Sequence, residues 1–355
     1  MTGDATTDAA TPIRTRRVFA ATHVVGDGRR IDWAATLGFR HHVWAQGLGV
    51  ADAMDTAQRG SGLDWPAARE LIRRTAAEAG GPLVVGVGTD QLAPGPSTLL
   101  RISAAYEEQL AVAAQAGAQP VLMCSRALAA TARHADDYAM VYGRLLDQLD
   151  GSSKALLHWL GPMFDPQLAG YWGSADLDAA TDVVLDLIKA HADRIDGIKV
   201  SLLDAEREIR LRRALPAGVR LYTGDDFNYP TLIAGDADGH SDALLGVFDP
   251  LAPVAATALR CLDAGDVAGF RALLDPTVEL ARHLFAAPTQ HYKTGVVFLA
   301  WLNGHQPQFT MLGDAQRRRS PAHLAELARL AARAGVLTQP DRAAGLCREL
   351  LGLSA

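Results

Sequence analysis

Two ionisable side chains sit inside short apolar runs, Lys199 in "RIDGIKVSLLD" and His158 in "KALLHWL". Of 34 basic residues only four are lysines, Lys154, Lys189, Lys199 and Lys293, and the rest are arginine. A chain that uses arginine for nearly every surface cation needs a specific reason for a lysine in an apolar run, because the two cations are not interchangeable. Arginine stays protonated, whereas a desolvated lysine can lose its proton, with shifts of up to about 3–5 units, and become a nucleophile. A neutral amine adds to a ketone or aldehyde and loses water, giving an iminium. That iminium is an electron sink for making or breaking the adjacent C–C bond. Histidine, with an unperturbed pKa of about 6.5, is suited to moving the protons involved. Plainer readings stand beside these. Lys199 could face surrounding helices and snorkel its ammonium to solvent, and His158 could be a core histidine with a backbone partner.

The chemistry requires elements that hold the lysine in a dry, open-ended cavity. Strand-like runs are "RVFAATHV", "GVADAMDT", "PLVVGVGT", "PVLMCS", "KALLHWL", "IDGIKV", "GVRLYT" and "DALLGVF". Each is short, largely apolar and bounded by Gly, Pro or Asp, as expected of strands buried on both faces in a parallel sheet. Longer stretches with helical spacing lie between them, such as "WPAARELIRRTAAEA" and "STLLRISAAYEEQLAVAAQAG", with Asp64 and Ser97 as N-cap candidates. Eight strands alternating with eight helices over roughly 240 residues predict a (β/α)8 TIM barrel. An open doubly wound sheet is the competing architecture, but no glycine-rich phosphate loop follows the first strand. The predicted organisation is a mobile tail over 1–16, the barrel over 17–265, and a C-terminal helical domain over 266–355.

Catalytic groups of such barrels sit at the C-terminal ends of the strands. Those positions offer His23, then Asp55, Thr56, Gln58 and Arg59, then Asp90, Arg126, His158, Lys199 with Ser201, Asp225 with Asp226, and Asp249. The planar forks of Arg59 and Arg126 suit a carboxylate. One of Asp225 and Asp226 is expected to cap the following helix.

The totals narrow the function classes. The chain has 355 residues, 49% of them hydrophobic and 21% charged, with a net charge of −6. That is material for a sizeable core and offers no basic block for nucleic acid. "QRRRS" around Arg317 reads as a solvated helix start. No apolar run approaches the roughly 20 residues of a membrane span. Three widely spaced cysteines and a polar N-terminus fit a reducing, cytoplasmic setting without a disulfide framework or zinc-ligand spacing.

"DGIKVSLLD" resembles the lysine strand of the dihydrodipicolinate synthase and N-acetylneuraminate lyase family. "LYTGDDFNYPTLIAGDADG", "DALLGVFDPLAPVAATALRCLDAGDVAGFRALL" and "APTQHYKTGVVFLAWLNG" are similar to its seventh strand, its eighth strand with following helices, and its C-terminal proline-and-lysine helix. The resemblance implies a (β/α)8 barrel with a C-terminal helical extension, Lys199 as the Schiff-base lysine, no cofactor, and a homo-oligomer, a dimer or tetramer. Its departures bear on substrate. The family's proton-relaying tyrosine on strand five aligns with His158. The family's carboxylate-gripping arginine has no counterpart in "GPMFDPQLAGYWG". Only Thr56 survives from its double-threonine loop, and "SRAL" replaces its aromatic pair after strand four.

Together these features predict a Schiff-base lyase or aldolase acting on a small oxo compound, with Lys199 as nucleophile and His158 as proton carrier. The acids Asp55, Asp90, Asp225 and Asp249, with His23, Gln58, Thr56, Arg59 and Arg126, would bind a carbohydrate-derived substrate. Two alternatives remain. A metal-dependent sugar isomerase or epimerase would draw ligands from His23, Asp55, His158, Asp225 and Asp249. A paralogue that binds a metabolite without catalysis would keep the barrel alone.

Overall fold

All eight predicted runs become strands of one closed parallel barrel. They are β1 (Val18–Ala21), β2 (Gly49–Asp52), β3 (Leu83–Val87), β4 (Gln119–Leu122), β5 (Ala155–Leu160), β6 (Ile195–Ser201), β7 (Arg220–Thr223) and β8 (Asp242–Leu245). The computed structural model describes residues 13–151 and 153–351. Most strand residues are buried whichever way they point, because helices cover the outer face and side chains fill the inner one. That is why the runs are apolar without alternating.

The inner face is identified by the cluster that fills the barrel, including Phe19, Val84, Val121, Leu156, Tyr222 and Leu244. Side chains alternate along a strand, so Leu156 pointing inward sends His158 and Leu160 inward as well. The register pairs Leu156 with Gly197, His158 with Lys199 and Leu160 with Ser201. Lys199 therefore faces the barrel interior, beside His158, and does not snorkel out among the helices. Gly197 belongs to this layer for a steric reason. A Cβ there would meet the Arg220 carbonyl at 2.5 Å and the Tyr222 ring at 2.8 Å.

Local signals set several helix starts. Asp64 caps the helix Trp65–Ala77 by accepting from the Ala67 N–H, with Pro66 in the first turn. The helix Leu99–Gln115 is capped by Thr98, not Ser97; the Ser97 N–H donates instead to Thr131 Oγ1. After β8 only helical elements follow among the described residues, beginning with Phe248–Asp263. One of them, Tyr292–Leu302, is buried along its whole length.

Two expectations about charged ends need correction. Of the predicted tail 1–16, residues 1–12 lie outside the described residues, but residues 14–16 are bonded to the body. Arg14 and Thr15 donate their N–H groups to Asp263, and Arg16 donates to the Ile233 and Ala234 carbonyls. In "QRRRS", Arg319 is buried rather than solvated. It donates to the Leu284, Ala286, Ala287 and Pro288 carbonyls, and the helix starts later, at Pro321, capped by Ser320.

Two buried charged groups lock the strand ends. Arg40 pairs with Asp52 at 2.7 Å and also donates to the His23 carbonyl, tying β2 to the loop after β1. Glu208, on the helix Ala205–Ala214, accepts from Thr223 Oγ1 at 3.0 Å and Ser241 Oγ at 2.8 Å. Burial pushes its carboxyl up from 4.5 to about 8. A folded-state value above the unfolded one means the native state holds the extra proton. Its stabilisation is complete below the unfolded value and is lost as pH rises through the folded one. Denaturant midpoints of the native chain should therefore fall between about pH 5 and 8, and Glu208→Gln should flatten that slope. An unchanged slope in the variant would assign the pH dependence to other groups.

Candidate active site

Lys199 lies at a tight cavity of about 20 Å³, room for a single water, lined also by Asp55, Thr56, His158, Ser201, Asp226 and Tyr292. Burial pushes the Lys199 amine below its ordinary 10.5, while the Asp226 and Asp55 carboxylates pull it back up. Burial also raises Asp226 to about 7, against the opposing pull of Lys199 and of the Val247 N–H, 3.0 Å from its Oδ1. The proton affinities of the amine and the acid thus move toward each other. Burial, and then the Lys199 charge, hold His158 well below 6.5, so it is a neutral imidazole, with Nε2 3.3 Å from Ser201 Oγ. The close fit of this corner explains Gly224. A Cβ there would fall 2.2 Å from Ser201 Oγ and 2.8 Å from Lys199 Cε.

The C-terminal helices close one side. Tyr292 shares a 2.8 Å hydrogen bond with Thr56 and stacks on Phe285, ring centroids 4.4 Å apart. Burial holds its hydroxyl well above 10, so it stays protonated. Next to it, Lys293 Nζ is 2.9 Å from Asp55 Oδ2. A larger cavity of about 290 Å³ adjoins the first, and Asp55, His158 and Leu160 line both.

Of the side chains singled out in the sequence, Lys199, His158, Asp55 and Thr56 come together here. Others do not. Arg59 uses all five donors internally: Nε and Nη2 on Asp90 at 2.8 Å each, Nη1 on the Ala53 and Gly86 carbonyls, and Nη2 again on Gln109. It forms wall rather than a carboxylate grip, and Asp90 is its counter-ion. Gln58 donates to the Leu312 carbonyl at 2.9 Å and lines neither cavity. His23 and Asp249 pair with each other at 2.8 Å, away from both cavities. Neither aspartate caps the following helix, Tyr229–Ala234, whose N-cap is Asn228; Asp225 instead braces the turn before it, accepting from the Phe227 and Asn228 N–H groups and from Asn228 Nδ2, while Asp226 faces Lys199. Arg126 stands half-exposed at the larger cavity, with Nε bonded to Asp165. These commitments remove most of the groups meant for sugar hydroxyls. Among the described residues, no three His, Cys, Asp or Glu side chains gather as metal ligands.

Sequence reasoning missed Tyr292 and Lys293 as site groups and named Asp225 ahead of Asp226. A signal for Lys293 existed. It is another of the four lysines and stands in the first turn of a largely apolar helix, the same anomaly that marked Lys199.

A model of the family described as "Protein of unknown function (DUF993)" matches residues 2–355. No curated protein matches the chain in sequence. Solved structures share its fold. A prophage protein of the dihydrodipicolinic acid synthase family from E. coli K12, solved in complex with pyruvate, has a TM-score of 0.70 at 14% identity, covering 91% of this chain and 99% of its own. Dihydrodipicolinate synthase from Cyanidioschyzon merolae, with lysine bound, gives 0.69 at 15% identity and the same coverage. The synthase from Thermotoga maritima gives 0.67 at 14% identity, again covering 91% and 99%.

The Lys199–Asp226 pair yields a signed prediction. Asp226→Asn removes the charge that pulls the Lys199 pKa upward. Acylation of Lys199, followed against pH by peptide mass spectrometry, should have its midpoint at lower pH in the variant than in the native chain. A midpoint that stays put or rises would show that Asp226 does not set the amine's proton affinity.

Proposed function

The chain belongs to the DUF993 family, and we propose that it is a Schiff-base-forming lyase or aldolase whose nucleophile is Lys199. The observation that carries this reading is a buried lysine amine inside the barrel, lowered by desolvation and sharing its cavity with a carboxyl poised at about 7. The reading is supported by the (β/α)8 fold, whose enzymes bind substrate at the C-terminal ends of the strands, and by the position of Lys199 in the second half of β6.

The steps follow from the groups present. Lys199 Nζ bonds to the carbonyl carbon as the C=O π pair moves to oxygen, and a proton passes from nitrogen to oxygen. The protonated Asp226 carboxyl gives a second proton to the carbinolamine hydroxyl. Water leaves and the nitrogen lone pair closes the iminium. Neutral His158 then takes the proton from a hydroxyl on the β-carbon, two carbons from the iminium carbon. That carbon becomes a carbonyl as the C–C bond breaks, and the bonding pair is held as an enamine. Protonation of the enamine carbon and hydrolysis by water return the free amine. Ser201, beside His158 Nε2, and Tyr292, held by Thr56, keep hydroxyl groups at the same cavity. The metal-dependent alternative finds its ligands dispersed: His23 and Asp249 are paired together and Asp225 is committed to the turn at Phe227 and Asn228.

Incubation with a panel of oxo compounds, borohydride reduction and peptide mass spectrometry test the reading. A stable secondary-amine adduct is expected on Lys199 and none in Lys199→Ala. His158→Asn should keep the adduct but slow turnover by about 10²–10⁴-fold, the range for losing a proton-transfer group. A panel that gives no Lys199 adduct with any ketone or aldehyde would sink the proposal.

A further inference from the structure

The larger cavity is not needed for an amine to meet a carbonyl, and its lining points to what else the substrate carries. It holds about 290 Å³, close to the lower end of the roughly 300–1,000 Å³ typical of ligand pockets. The space exists partly because Gly60, Gly88, Ala93, Gly95 and Ala127 are small. Carbon surface from Leu92, Met123, Leu160 and Leu168 dominates the rest. Most charged groups of the wall are already partnered, although half-exposed Arg126 is bonded through Nε alone. Asp55 is paired with Lys293, Asp90 with Arg59, and Asp165 with Arg126. The Thr89 and Ser125 hydroxyls bond each other at 2.6 Å.

We propose that this cavity is a chamber for an apolar arm, alkyl or aryl, on the oxo compound bound at Lys199, and that it discriminates against polyhydroxylated arms. The proposal rests on the Schiff-base reading and adds the substrate class to it. Its physical basis is an asymmetry. Hydroxyls entering the chamber leave water for walls most of whose charged groups already have partners, so part of their hydrogen bonding goes unreplaced. An apolar arm leaves water for carbon surface and gains by the transfer. The two cavities meet at Asp55, His158 and Leu160. An arm attached near the carbonyl therefore passes His158 on its way in, which places the bond to be broken beside the proton carrier. This reading replaces the carbohydrate-derived substrate expected from sequence, whose intended partners Gln58, His23, Asp225 and Asp249 lie outside the chamber.

The test compares borohydride trapping at Lys199 by pyruvate, which has no arm, phenylpyruvate, which has an aryl arm, and ketodeoxygluconate, whose arm is a polyol. Phenylpyruvate should reach half-maximal trapping at a concentration about tenfold or more below the other two, the scale of discrimination that a fitted apolar pocket gives. Ala93→Trp fills the chamber from an exposed loop position. It should remove that advantage while leaving pyruvate trapping within about twofold, because pyruvate has no arm to place in the chamber. Ala127→Leu, a smaller change at a second lining position, on the helix Arg126–Thr131, should act in the same direction and guards against a folding defect in the first variant. Stronger trapping by ketodeoxygluconate than by phenylpyruvate overturns the proposal, as does an equal loss for pyruvate and phenylpyruvate in both variants. If no compound is trapped, the Schiff-base reading fails by itself. The chamber is then judged by calorimetric titration with phenylpropanoate, which has no carbonyl. Binding that Ala93→Trp abolishes supports the chamber, and no binding to the native chain rejects it.

Discussion

A lysine ammonium inside a closed barrel is the constraint to which the surrounding residues answer. Removing a charge from water costs several kcal/mol even after relaxation, and β6 places Lys199 on the inner face with no path to solvent along the strand. The chain meets this by two routes. Burial favours the neutral amine, and Asp226 stands by to balance the charged form. Asp226 is itself buried, so it is no simple counter-ion. Its own desolvation raises it to about 7, which narrows the gap between the charged pair and the neutral pair. A stronger partner, held low by further hydrogen bonds, would have kept the amine protonated and inert. The single N–H bond from Val247 leaves Asp226 intermediate.

The same burial assigns different protonation states to three neighbours. His158 is held neutral, Tyr292 is held protonated, and Asp226 exchanges near neutrality. A base, a fixed donor and a reversible acid therefore surround one small cavity without any of them needing an unusual side chain. The separation arises from sign. Desolvation always disfavours the charged form, which lowers a histidine and raises a tyrosine or an aspartate. Asp55, on the same cavity, is paired with Lys293 of the C-terminal helix, 2.9 Å away.

The strands were legible in sequence because burial on both faces produces apolar runs that end abruptly at polar positions. All eight runs coincide with observed strands. Lys199 was legible because an apolar run has no surface use for an ammonium, and β5–β6 register then brought His158 to its side. What stayed hidden was partnership across the fold. Arg59 looked like a carboxylate grip because a loop arginine's partners come from β3 and a distant helix, through Gly86, Asp90 and Gln109. Gln58 is spent on Leu312, 254 residues away. Asp225 and Asp226 are chemically alike, and only the turn geometry decides which one bonds the turn and which one faces Lys199. The polar ends of strands therefore overstate a site, since the same residue types also build the walls.

The loop after β2 shows why those wall contacts still matter to the chemistry. Four of its residues reach outward to the C-terminal region: Asp55 to Lys293, Thr56 to Tyr292, Gln58 to Leu312, and Ser61 to Arg318. Arg59, between them, fixes the loop to Asp90. Asp55 also lines both cavities, so the strut that joins barrel and C-terminal helices is also part of the partition between the lysine and the larger chamber. Its backbone takes positive φ at Gln58, Gly60 and Gly62, a shape that these tethers must hold. The helices after β8 thus act on the site by fixing this partition. They donate Tyr292 and Lys293 through a helix with no exposed face, which leaves the two groups little freedom to move apart. The position of the wall between the two cavities, and so the path open to a substrate arm, is set by contacts between the barrel and its C-terminal extension.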